Sequence, residues 1–188
     1  MILNTNAFRR FRHLAPSLFT DCPSLRIVWL DDGTFPAFPP DDSAMASDGQ
    51  AVAKWVLTSC PDGRPKLLKS PVNSADQWSL TMEQFKAAFS NASSPVSFSI
   101  NFPSSSPLDF VVPFDLINEA TGEKLTLQQY ANGFFLTRCP IGWDKKKWAN
   151  ILNELSADDR PNRIDIWIED GGYDDGLLDA ASPGPSDH

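Results

Sequence analysis

Residues Val96-Ser97-Phe98-Ser99-Ile100-Asn101-Phe102 alternate apolar and polar side chains without a break. A period of two fits an extended chain, because successive side chains of a strand point to opposite faces. This stretch predicts a strand with one buried and one wet face, and it commits the chain to a sheet. After a turn over Pro103 to Pro107, the alternation continues through Leu108, Phe110, Val112, Phe114 and Leu116, with Pro113 inside it. Proline cannot donate to a strand ladder, so this second strand belongs at an edge or carries a bulge.

The other elements are arranged around these two. Arg26 to Leu30 reads as a short buried strand, stopped by Asp31-Asp32-Gly33. Residues 34–50 lack periodicity and read as a flexible surface loop. Ala51 to Cys60 reads as a strand through Val52, Trp55, Val56 and Leu57, and a polar stretch follows to about Trp78. Thr81 with Gln84 forms a capping box ahead of Met82, Phe85, Ala88 and Phe89, and Thr126 with Gln129 forms a second one for a short helix ended by Asn132-Gly133. Between them, Asn118 to Lys124 is a turn containing Thr121-Gly122. Phe134 to Cys139 and the run containing Ile164, Ile166 and Ile168 read as strands, separated by a helix from Trp143 to about Leu155. The expected fold is α+β: a mainly antiparallel sheet with two or three helices on one face. Its order is that of split βαβ folds, βαββαβ, with an inserted helix and strand. One domain over residues 24–170 would follow a basic, aromatic lead at 1–23 and precede an acidic disordered tail at 171–188.

Two pairs of strings echo each other. Leu57-Thr58-Ser59-Cys60-Pro61 matches Leu136-Thr137-Arg138-Cys139-Pro140, and Leu80-Thr81-Met82-Glu83-Gln84-Phe85 matches Leu125-Thr126-Leu127-Gln128-Gln129-Tyr130. Both are short enough to arise by convergence at strand ends and helix starts.

Charge is distributed in blocks. The net charge is −8, yet residues 1–30 are net +3 and 124–147 net +4, whereas 31–50 carry five acids and 165–188 seven, with no base in either. Such blocks suit solvated faces, or docking surfaces for partners of opposite charge or for another copy. Three cysteines, Cys22, Cys60 and Cys139, form no disulfide framework and fit a reducing, cytoplasmic compartment. Each precedes a proline, a dipeptide found in haem-regulatory motifs. No second ligand type lies nearby, however, and buried cysteines at strand ends account for the pattern without metal or haem. No run of apolar residues approaches a membrane span.

Recognisable catalytic chemistry is scarce. His13 and His188 are the only histidines, which disfavours a His-based metal site or a nucleophile–histidine pair. No phosphate-cradling glycine loop occurs. Asp109, Asp115 and Glu119 could supply carboxylates for a hydrolase, but nothing in the sequence sets their separation. The C-terminal acids do not follow the calcium-loop pattern.

Three functional expectations follow. The first is a non-catalytic accessory, inhibitor or immunity-type protein, without cofactor or metal, that docks a protein partner through acidic surfaces at Asp165, Trp167, Glu169 and Asp170. Trp29, Trp78 and Trp143 would be further aromatic anchors. The second is a nucleic-acid-binding module at the start of the 143–155 helix. There, Lys145, Lys146 and Lys147 sit between Trp143 and Trp148, with Arg138 nearby. Asn132-Gly133-Phe134-Phe135-Leu136 partly resembles an RNA-binding RNP1 string, without its alternating glycine or leading base, and the overall negative charge opposes phosphate binding. A carboxylate hydrolase is the third.

Overall fold

A computed structural model describes residues 2–3, 12, 22, 25–30, 34–72, 74–104, 108–130, 133–143 and 165–166. Its elements in chain order are β1 (Ile2–Leu3), β2 (Ile27–Leu30), α1 (Asp48–Val56), β3 (Lys66–Lys69), α2 (Ala75–Ser90), β4 (Phe98–Pro103), β5 (Phe114–Asn118), β6 (Glu123–Tyr130), β7 (Gly133–Pro140) and β8 (Asp165–Ile166). Strands β2 to β7 form one open mixed sheet with two helices, an α+β arrangement. The two-residue strands β1 and β8 continue it beyond β2, giving the order β5-β6-β7-β4-β3-β2-β1-β8.

The sheet is half parallel rather than mainly antiparallel. The β2–β3 and β3–β4 pairs are parallel, while β4–β7, β7–β6 and β6–β5 are antiparallel. The parallel half follows from two helices that act as crossovers, and one of them is the segment expected to be a strand. Ser47 caps α1 in a full capping box: its hydroxyl accepts from the Gln50 amide at 3.3 Å, and Gln50 Oε1 accepts from the Ser47 amide at 3.0 Å. Behind that cap, Ala51, Val52, Trp55 and Val56 are buried at helical spacing, which overrides the strand preference of Val and Trp.

Three further expectations are corrected. Lys66–Lys69 is a strand within the stretch read as polar connection. Helix α2 starts at its Ser74 cap, and Thr81 is an interior residue whose hydroxyl donates to Pro36 O at 3.3 Å. Glu123–Tyr130 is a strand, not a turn followed by a helix, because Leu125 and Leu127 alternate inward beside β7 and Gly122 (φ +66) turns the β5–β6 hairpin. The 143–155 helix lies outside the described residues beyond Trp143.

Register places the core on one face. Val28 and Leu30 of β2, Leu68 of β3, and Phe98, Ile100 and Phe102 of β4 form it together with Phe134, Leu136, Leu125 and Leu127. Both helices feed the same cluster, through Val52, Trp55 and Val56 of α1 and Trp78, Met82, Phe85 and Phe89 of α2. The loop ahead of α1 is part of it. Phe35 sits 5.2 Å from the Phe102 ring and 5.9 Å from Trp78, and Phe38 meets Phe85 edge-on at 5.1 Å. Arg12 also reaches into this region, donating to the Ala46 and Ser43 carbonyls and pairing with Asp48 at 2.9 Å. On the other face β4 is not wet at its centre, where the Ser99 and Thr137 hydroxyls are buried 3.3 Å apart.

Candidate functional site

β5 ends the sheet, and no described strand lies beyond it. An edge strand presents a row of backbone donors and acceptors without ladder partners, which makes it a template for another chain. The sequence produces this edge locally. Val111 is buried and its amide donates to Leu108 O at 3.0 Å, so the neighbouring Phe110 and Val112 turn outward, 38% and 73% exposed. Pro113 immediately precedes the strand rather than lying inside it. Within β5 the pleat sends Phe114 and Leu116 toward the core, where they are half-buried, and sends Asp115 and Ile117 to the opposite face. Ile117 is 63% exposed.

The far end of β5 is anchored. The Asn118 side chain is buried and fully satisfied, donating to Phe89 O (2.7 Å) and Ala92 O (3.1 Å) and accepting from the Ala120 and Thr121 amides. It thereby ties the edge strand to the C-terminal end of α2. On the core side, the Lys86 ammonium lies 4.6 Å from the centre of the Phe114 ring. Residues 108–119 contain Asp109, Asp115 and Glu119, all exposed, and no base. Among the described residues, the edge thus combines backbone without a further strand neighbour, three outward apolar side chains and a carboxylate border. The three acids read earlier as hydrolase candidates belong to this border.

The residues singled out from sequence fall elsewhere. Arg138 of β7 is 2% exposed and internally committed: Nε and Nη2 donate to Glu123 Oε2 at 3.0 and 2.5 Å, and Nη2 also donates to Ser94 O at 3.0 Å. Glu123 Oε1 accepts from the Val96 amide at 2.9 Å, and the Arg138 guanidinium stands 5.2 Å from the Phe89 ring. Every group in this network is paired, which is the condition under which buried charge is tolerated. Trp143 is half-buried, with its amide bonded to Pro140 O, and Lys145, Lys146, Lys147 and Trp148 lie outside the described residues. Trp78 is core rather than an exposed anchor, and Trp29 lies under Lys69, 4.7 Å from ring centre to ammonium. Asp165 belongs to β8, which pairs with β1 at the other end of the sheet from β5, whereas Trp167, Glu169 and Asp170 lie outside the described residues.

Two further groups have unusual settings. Lys66, 5% exposed, donates to Trp55 O at 2.5 Å and lies 5.2 Å from the Trp55 ring. Burial brings its pKa down to about 8, against an opposing pull from Cys60. Cys139 is buried in β7, and burial pushes its thiol up. Cys60 is buried and Cys22 exposed, and all three are free thiols. Among the described residues, no three His, Cys, Asp or Glu side chains converge on a metal-sized site, and no helix is long and apolar enough to cross a membrane.

No family model, curated protein or solved structure matches the chain. The alternation through Leu108, Phe110, Val112, Phe114 and Leu116 predicts one strand, but the strand begins only at Phe114, and Phe110 and Val112 ahead of it are exposed. The Glu123–Arg138 pair had no advance signal, since its partners are separated by a hairpin.

Proposed function

We propose that the chain is a non-catalytic interaction protein, of the accessory, inhibitor or immunity kind, that docks a protein partner through the acid-bordered edges of its sheet. The observation that carries this reading is the β5 edge, where exposed Phe110, Val112 and Ile117 stand among Asp109, Asp115 and Glu119. Apolar side chains within a charged rim are the composition of an interaction patch. Asp165, in β8 at the opposite end of the sheet, would serve as a second docking element together with Trp167, Glu169 and Asp170, which follow it in sequence. The nucleic-acid reading gains less support, because Arg138 is consumed by Glu123 and the net charge is −8.

A native pull-down from the source cell, run with and without nuclease, tests the reading. The expected result is a stoichiometric protein that survives nuclease and is released by Ile117→Lys, or by neutralising Asp165, Glu169 and Asp170. Retention of a nuclease-sensitive nucleic acid, lost in a Lys145/Lys146/Lys147→Ala variant, would transfer the function to the lysine segment. A protein partner insensitive to both edge variants would contradict docking at the sheet edges.

A further inference from the structure

We infer that β5 takes up an extended, basic segment of the partner as an added strand, an inference that rests on the docking reading above. Strand addition uses the outward backbone groups for affinity and the alternating side-chain positions for selectivity. The pleat of β5 dictates what the added strand must carry. On the core face its side chains would lie beside Phe114 and Leu116, both half-buried and packed on the core cluster, so that row is apolar. On the opposite face they would lie beside exposed Asp115 and Ile117, which call for a base next to the first and an apolar stem next to the second, both of which lysine supplies. Asp109 and Glu119 flank the ends of the strand and favour further bases there. The recognised chemistry is therefore a strand alternating apolar residues with lysine or arginine.

A second copy offering its own sheet edges does not meet this requirement. Pairing β5 with itself would gather Asp109, Asp115 and Glu119 of both copies along one seam, and crowding like charges there is unfavourable. Nor does the other end of the sheet supply the bases, because β8 carries Asp165 and residues 165–188 contain seven acids and no base. Charge complementarity selects a different, cationic chain.

The test uses the full chain and a labelled peptide of about ten residues, a typical strand length, with valine and lysine alternating. Fluorescence anisotropy reads its binding. The expected result is saturable binding that falls about tenfold or more with Asp115→Lys, an exposed site where the substitution leaves the core untouched. N-methylating one alternate set of peptide amides should abolish binding, whereas methylating the other set should spare it, since only one set faces β5. Equal binding by both methylated peptides, or no loss with Asp115→Lys, overturns strand addition. So does a lack of saturable binding by the unmodified peptide. If strand addition fails in this way while the native partner is still released by Ile117→Lys, docking at the edge stands and only its mode is wrong. If that release fails as well, both readings fall.

Discussion

Lys66 shows how a single residue can oppose the fold that buries it. Its ammonium caps the C-terminal end of α1 through Trp55 O and leans on the Trp55 ring, yet desolvation still lowers its pKa from 10.5 to about 8. Below about pH 8 the lysine is charged in both the folded and the unfolded chain, and the folded state bears the full cost. Between that value and 10.5 the unfolded chain binds the proton and the folded chain does not, so this group's contribution to stability rises with pH. The shift corresponds to roughly 3 kcal/mol. Lys66→Met retains the buried stem and removes the titration. Urea unfolding of both forms at intervals from pH 7 to 10.5 should therefore show the variant gaining relative to wild type at the low end, with the difference shrinking by about that amount across the range. A pH-independent difference would mean that Lys66 titrates normally. By contrast, Glu123 and Arg138 are buried together with every polar group matched, so charge burial there is an organised network rather than a standing cost.

At the scale of elements, the start of the loop over residues 34–47 packs into the core through Phe35 despite its irregular backbone. Phe35 fills the space between Trp78 of α2 and Phe102 of β4, and Ala37 N donates to Gly49 O at the start of α1. Phe35→Ala should thus destabilise the chain by about 3–5 kcal/mol, the cost of an aromatic cavity, and be read as a lower urea midpoint. A loss within about 0.5 kcal/mol, the usual range for a surface position, would return the segment to the flexible loop that its composition suggested. The same contrast between local string and final context governs how far the elements were legible. Leu80 to Phe85 and Leu125 to Tyr130 are near-copies, yet the first is mid-helix and the second a strand. Trp78 and Phe89 extend the first string at helical spacing. The second is extended by the Gly122 turn and by β7 as a neighbour, and such neighbours are invisible in the string itself. The Leu57 and Leu136 strings diverge likewise, into a helix end and a strand. Strict alternation in β4 and the proline ahead of β5 were readable because each acts within a few residues. The β3 strand, with lysine at both ends, and the inward turn of Arg138 depend on partners distant in sequence.

For the whole molecule, the arrangement of charge bears on whether the sheet stays closed to its own kind. An open mixed sheet has two edges, and here the described ends, β5 and β8, both carry acids. Under the proposed reading, edge carboxylates would keep copies apart and leave the edge available to a cationic chain, so that solubility and selectivity would follow from one feature. Neutralising the β5 border with Asp109→Asn, Asp115→Asn and Glu119→Gln preserves the shape of all three exposed side chains. It also removes the repulsion while leaving Phe110, Val112 and Ile117 outward. Sedimentation velocity at neutral pH should show this triple variant associating at concentrations where the natural chain sediments as a single small species. Raising the salt to about 0.5 M, where screening is within a few ångströms, should move the natural chain in the same direction. If the triple variant sediments unchanged, the acids do not guard the edge, and the case for a cationic strand as its occupant loses the charge argument on which it was built.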